Sequence, residues 1–268
     1  MNFDPSIITW NDVFWALSLI LLALLVIRFL KLGVSKALAI GTFRSFFQLL
    51  ALGYLFHFIF NINSASIFFL LITAIILFAG YEGRRRQNLT IPHYYWLQVG
   101  AIAFATFIVL GLILTVILDL DPWFNPIVSI PLGGMIMGQA LNSSSLLANT
   151  MSNAIVKRQK EIELMLGLGA TRWQAILPIL RESIHSALIP SINSLNTVGI
   201  VSIPGVLVGA LISGLEPLVA IKYQIMVMYL WISGTTLACA AMGIMISFTY
   251  LNKNHQLRRH LLTLERKK

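Results

Sequence analysis

Gln139, Asn142 and Ser143 stand at i, i+3 and i+4 in an apolar run, so a helix there brings all three to one face. Asn149 lies further along the same side. A second polar set, Asn193, Asn196, Thr197 and Ser202, precedes Pro204-Gly205. In lipid each of these side chains costs free energy, so each must face protein or water. Two chemistries satisfy that condition: hydrogen bonding between helices, or hydrogen bonding to a solute crossing the membrane. Gly134 and Gly138 form a small-xxx-small pair, a pattern of close helix packing, and both readings stay open. Proline removes a backbone donor and glycine tolerates unusual angles, so a helix should kink or break at Pro204-Gly205. Such a break is tolerated at membrane depth where it is buried in protein or lines a wet cavity. Arg44 and Gln48 share another face, close enough to a span end for Arg44 to snorkel.

Metal chemistry is not visible in the residues. Met135 and Met137, and Met226 and Met228, carry soft donors, but residues two apart point to different sides of a helix. His57, His93, His185, His255 and His260 are scattered, and none makes a paired metal-ligand spacing with a carboxylate. The single cysteine, Cys239, excludes an internal disulfide and a cysteine-based metal site. There is no P-loop, no Ser/His/Asp set and no inward carboxylate dyad. No catalytic residue is assigned, and the chain does not look like an enzyme acting alone.

The elements that must hold these residues are membrane spans. Of 268 residues, 57% are hydrophobic and 11% charged, far from the mix of a soluble domain. Runs long enough for a bilayer, which needs about 20 residues per helix, cover Trp10–Leu30, Gly41–Phe60, Ala65–Tyr81 and Trp96–Leu118. A fifth, Pro126–Met151, is interrupted by polar residues. Trp173, Ile176, Leu177, Leu180, Ile184, Ala187 and Leu188 recur at helical spacing, the pattern of an amphipathic helix in the interface. A sixth span is expected at about Pro190–Ile212 and a seventh from about Ile225 to Tyr250. The start, with Asp4 and Asp12 and no base before Arg28, does not read as a cleavable signal. One all-α transmembrane domain over residues 1–268 is the expectation.

Charge orients these spans. Arg28, Lys31, Lys36 and Arg44, then Arg84–Arg86, then Lys157, Arg158, Lys160, Arg172 and Arg181 fall in alternate connections. The tail Leu251–Lys268 takes the rest, leaving only Lys222 elsewhere among the 19 Lys and Arg. Asp4, Asp12, Asp119, Asp121 and Glu216 lie on the opposite side. The positive-inside rule then gives an outer N-terminus, seven spans and a cytoplasmic C-terminus, in the cell's inner or plasma membrane. It also accounts for the net charge of +9 without any nucleic acid.

Between the fifth span and the amphipathic helix lies EIELMLGLGATRW, Glu161 to Trp173, within a hydrophilic loop of about 157–173. Glu161 and Glu163 suit the positive end of a short helix, and Gly167 or Gly169 would end it. The segment resembles the coupling loop of an ABC transporter permease. The run GLGATRWQAILPILRESIHSALIPSINSLNTVGIVSIPG, with Gly209, Gly214, Pro217 and Tyr223-Gln224, is similar to the FetB-type ABC permease family. That family includes bacterial proteins assigned to iron export and plant aluminium-tolerance permeases. Pro131-Leu132, Gly134-Met135-Ile136, Gly138, Ala140 and Asn142 match as well, as do Arg44 and Gln48-Leu49. The match is densest over residues 130–225.

The resemblance implies a permease subunit, paired as a homodimer, driven by a separate cytosolic ABC ATPase that carries ATP and Mg. It implies export of iron or another metal, and metal homeostasis as the role. Glu161, Glu163, Leu164, Gly167, Gly169, Ala170, Thr171 and Arg172 would contact the ATPase. Arg44, Gln48, Gln139, Asn142, Asn193, Asn196, Thr197, Pro204, Gly205, Tyr223 and Gln224 would line or gate the route. The chain departs from the family pattern at Gln139, where the family carries Asn, and at VLVGALISG after Pro204-Gly205, where it carries a Met-, Thr- and Gln-containing run. A small organic anion such as a nucleotide sugar is the alternative cargo. A stand-alone channel or secondary transporter is the alternative class, but it predicts a central intramembrane carboxylate that the second to sixth spans lack.

Overall fold

The computed structural model describes residues 9–59, 64–87, 91–120, 122, 124–252 and 254–261. Asp4, Asp121, Lys253 and residues 262–268, invoked above for the charge asymmetry and the tail, lie outside the described residues. The described chain is helical, with no strand: α1 (Trp10–Phe29), α2 (Ser35–Ile59), α3 (Ala65–Arg85), α4 (Tyr94–Leu112), α5 (Pro126–Lys157), α6 (Gln159–Gly167), α7 (Arg172–Thr197), α8 (Gly205–Ile212) and α9 (Pro217–Tyr250). Five helices, α1, α2, α3, α4 with its extension to Ile117, and α9, are long and apolar enough to cross a membrane.

The chain divides into two units, residues 1–63 with 208–216, and residues 64–207 with 217–268. In the first, α1 opens where the Asp12 carboxylate accepts the Thr9 backbone N–H at 2.8 Å. It packs on α2 through edge-on aromatic contact of Trp10 with Phe46. None of its side chains is buried within the chain, as befits apolar residues whose surroundings are lipid or another subunit.

In the second unit α5 is central, flanked by α3, α4, α7 and α9. Asn125 caps it by accepting the Ile127 N–H at 3.1 Å, and Pro126 fills the first position, where its missing donor costs nothing. Helices approach closely where a glycine faces a bulky neighbour. A Cβ on Gly234 of α9 would stand 2.6 Å from Ile136 Cγ2 on α5, and one on Gly243 would collide with Leu180 of α7. Gly134 and Gly138 behave otherwise, since a Cβ at either meets nothing within 4 Å.

The largest departure from the sequence expectation concerns the sixth span. The amphipathic stripe and the first half of that span form one continuous helix, α7, which carries Pro178 and Pro190 inside it. Its stripe packs on the protein, with Ile176, Leu180 and Ala187 buried among residues of α5 and α9. The interruption begins at Val198 and runs to Pro204, so Pro204-Gly205 marks its far end. Gly199, at φ +82°, reverses the chain, and the Thr197 carbonyl accepts the Ile200 (3.4 Å), Val201 (2.9 Å) and Ser202 (3.2 Å) N–H groups. The last helix begins at Pro217, two turns before the expected Ile225.

Candidate functional site

α5, α7, α9 and the start of α8 enclose a cavity of about 460 Å³. From α5 come Gly134, Met135, Gly138, Gln139 and Asn142, and from α9 Gln224, Val227, Met228 and Trp231. Ser194, Val198, Ser202, Pro204, Gly205 and Val206 supply the side formed by the end of α7 and the break. A smaller cavity of about 210 Å³ shares Gln139, Asn142, Ser194 and Trp231 and adds Ser143 and Ser191. The open space above Gly134 and Gly138 is this cavity, and no helix of the same chain packs on the two glycines.

No acidic, basic, histidine or cysteine side chain lies on these walls. Their polar atoms are amides and hydroxyls, and their soft atoms are the thioethers of Met135 and Met228. Arg86, after the end of α3, donates from Nη1 to Asn142 Oδ1 at 2.7 Å, and its carbonyl accepts from Asn149 Nδ2 at 3.1 Å. A cation therefore sits one hydrogen bond behind the cavity wall. Gln224 is buried, and its Oε1 has no partner among the described residues. An acceptor left unpaired beside a cavity costs free energy that a donor on a solute or a water within it would recover. Among the described residues no group of three His, Cys, Asp or Glu could hold a metal ion.

The other route residues lie elsewhere. Asn193 and Asn196 are exposed on α7 and outside both linings, with Ser194 and Ser191 in the positions that reach α5. Thr197 donates to the Asn193 carbonyl of its own helix at 2.9 Å. Tyr223 is not among the walls, although its neighbour Gln224 is. Arg44 is half-buried and Gln48 exposed on α2, within the first unit. Sequence reasoning missed Ser194 and Trp231 and set Met228 aside with the other methionines. A signal existed on α9, where Gln224, Val227, Met228 and Trp231 fall at i, i+3, i+4 and i+7, the spacing of one face.

The second region of interest is α6. Arg158, at the junction of α5 and α6, donates to both Glu161 oxygens (2.7 and 2.6 Å) and to Glu182 of α7 (2.9 Å). These bonds tie three helices at one point. Ile162 anchors α6 in the core at 1% exposure. The helix closes on Gly169, at φ +90°, where the Ala170 N–H donates to the Met165 carbonyl (3.0 Å) and the Gly169 N–H to that of Leu166 (3.1 Å). That pair of bonds is the Schellman ending, which needs a left-handed residue at this position. Thr171 starts α7 two residues on, its hydroxyl accepting the Gln174 N–H. Leu164 and Leu168 stay outside, 63% and 81% exposed.

The chain after α9 folds back onto α6 and α7. Arg259 makes a two-pronged pair with Glu163 (2.6 and 2.8 Å), and His255 Nδ1 accepts the Arg172 backbone N–H at 2.8 Å. Leu261 is buried in the same core as Ile162. The Arg172 guanidinium lies over the Phe248 ring. Hydrogen bonding by Arg259 holds the Glu163 carboxyl below its ordinary value, and Arg158 does the same for Glu161. Of the expected ATPase-contacting residues, Leu164 is thus open to a partner, whereas Glu161, Glu163 and Arg172 already have partners within the chain.

Five helices long and apolar enough to cross a membrane define a multi-pass α-helical membrane protein. Residues 10–251 match the family described as "Uncharacterised protein family (UPF0014)", and the chain belongs to it. A UPF0014 membrane protein of Synechocystis is 35% identical over 251 residues, covering 92% of this chain and 96% of that one. The Escherichia coli protein FetB, named a probable iron export permease protein, is 33% identical, covering 93% and 95%. The ALUMINUM SENSITIVE 3 protein of Arabidopsis thaliana is 29% identical, covering 92% and 89%. No solved structure matches the chain.

Proposed function

We propose that this chain is the membrane-spanning permease subunit of an ATP-driven transporter, working as a homodimer with a separate ATPase that binds ATP and Mg, and that it exports iron or another metal. The observation that carries the reading is α6: a short helix beyond the membrane-length elements, fixed at both ends, with Leu164 and Leu168 turned out. Likeness to a relative named as an iron export permease supports the cargo and the direction. The charge asymmetry supports seven crossings, by α1 to α5, by α7 together with α8, and by α9, with the N-terminus outside. α5 and α7 then cross although their polar residues keep them off the apolar set.

The test is at Gly169. A side chain there is strained by φ +90°, so Gly169→Val should distort the end of α6 and uncouple ATP hydrolysis from transport with the membrane helices intact. Normal transport and unchanged co-purification of a P-loop ATPase in that variant reject the reading. The orientation has its own check, since a cysteine at position 120 should react with an impermeant thiol reagent in intact cells and one at position 85 should not. Export of an organic anion such as a nucleotide sugar is the second reading. It is favoured by walls of amides and hydroxyls with Arg86 behind Asn142.

A further inference from the structure

A separate groove of about 460 Å³ runs between α4 and α9. On α9, Lys222, Met226, Tyr229, Ser233 and Leu237 follow one another at steps of three or four residues, a single helical stripe about 22 Å long. The facing wall is aliphatic, from Ile108 to Ile117, and includes the π-helical turn Ile113–Ile117 that extends α4. Such turns interrupt the regular helix and recur at functional sites. Lys222 is the one charged residue in the lining. It is exposed, forms no ion pair among the described residues, and stands about 8 Å from the start of α9. It is also the one base outside the inner segments of the charge pattern.

Hydrocarbon at membrane depth fills an aliphatic groove, and an uncompensated ammonium at one end attracts a phosphate. We propose that the α4–α9 groove binds an anionic phospholipid, with one acyl chain along the stripe and the phosphodiester against Lys222 Nζ. Neutral and zwitterionic lipids fit the same hydrocarbon walls but leave the ammonium without a net countercharge. The site is independent of the polar cavity, whose walls share none of these residues.

Native mass spectrometry of the full-length protein, titrated with phosphatidylglycerol or phosphatidylcholine, tests this. The expected result is about fivefold tighter retention of phosphatidylglycerol, a preference abolished by Lys222→Gln. Ser233→Trp, which fills the groove, should reduce retention of both lipids without altering the oligomeric state. A phosphatidylglycerol preference that survives Lys222→Gln overturns the proposal, as does equal retention of the two lipids by the unaltered protein. So does a Ser233→Trp variant that separates a dimer while keeping its lipid, because a second copy of the chain would then be the occupant.

Discussion

Two faces of α5 carry the same kinds of side chain and put them to different ends. On one face Ser144 is fully buried and accepts from Gln98 Nε2 of α4 at 2.6 Å, and Ala101 and Ala105 of α4 and Ala148 of α5 are fully buried as well. On the other, Gln139 and Asn142 look into open space, with Arg86 bonded to the latter. The glycines divide the same way. Gly133 meets Ile72 at 2.9 Å from a would-be Cβ, while its neighbour Gly134 meets nothing within 4 Å. One residue along a helix is a rotation of about 100°, enough to turn a sealed seam into a cavity wall. Polarity inside a span therefore reports that a side chain needs a partner, and only the facing element decides whether the partner is protein or solute.

The most damaging way to break that contrast is to add bulk on the sealed face. Gly234→Ala presses a methyl into Ile136, whose branched side chain has little rotational freedom, and should cost about 1–3 kcal/mol, read as a lowered melting temperature in detergent. Gly138→Ala should leave the melting temperature within error, and Gly138→Leu should fold yet reduce transport by narrowing the cavity. Equal melting losses at 138 and 234 would erase the distinction between the faces.

A smaller effect is expected from the amides. Gln98→Leu removes one buried bond while Ser144 keeps the Ala140 carbonyl, so a loss of about 1 kcal/mol in stability with near-normal transport per folded protein is expected. Asn142→Leu should do the reverse, leaving stability near normal and lowering transport, and Gln224→Leu should act likewise. Transport assays normalised to folded protein separate the two outcomes. Asn196→Leu, at an exposed α7 position outside the cavity, should change transport less than Asn142→Leu does.

The mildest perturbation lies far from either face. Arg259→Ala frees Glu163 and should raise protease sensitivity of the tail with no measurable change in melting temperature, because the pair is exposed. The Glu163 carboxyl is held below its ordinary 4.5, so this contact is present above that value and is lost as pH falls through the lowered one. Tail protection should thus persist across neutral pH and fail only in acid, which limited proteolysis against pH would show.

The sequence made the helical, membrane-embedded character plain because long apolar runs have few alternatives. α6 was legible for a similar reason, since acidic residues before a glycine-ended run leave little other local structure. The path from Trp173 to Ile212 was not. Pro190 looked like a boundary, yet α7 passes through it, with Ser194 donating to the Pro190 carbonyl at 3.0 Å. The real stop is at Val198, just before the reversal at Gly199, inconspicuous in TVGIVSIPG, and its signal is a backbone angle no composition displays. Which of Asn193, Ser194 and Asn196 turns toward α5 depended on the packing of α7, which local pattern leaves undetermined.

The continuity of α7 has a mechanical consequence. From Arg172 beside α6 to Ser194 at the cavity, the backbone is one rod about 33 Å long. A tilt of about 5° at the α6 end would carry the far end sideways by about 3 Å, about the width of a water molecule. Pro178 and Pro190 each delete one backbone bond along that rod, so it has two defined joints where a push can be absorbed or redirected. An interface helix followed by a separate span would dissipate such a tilt in its connection.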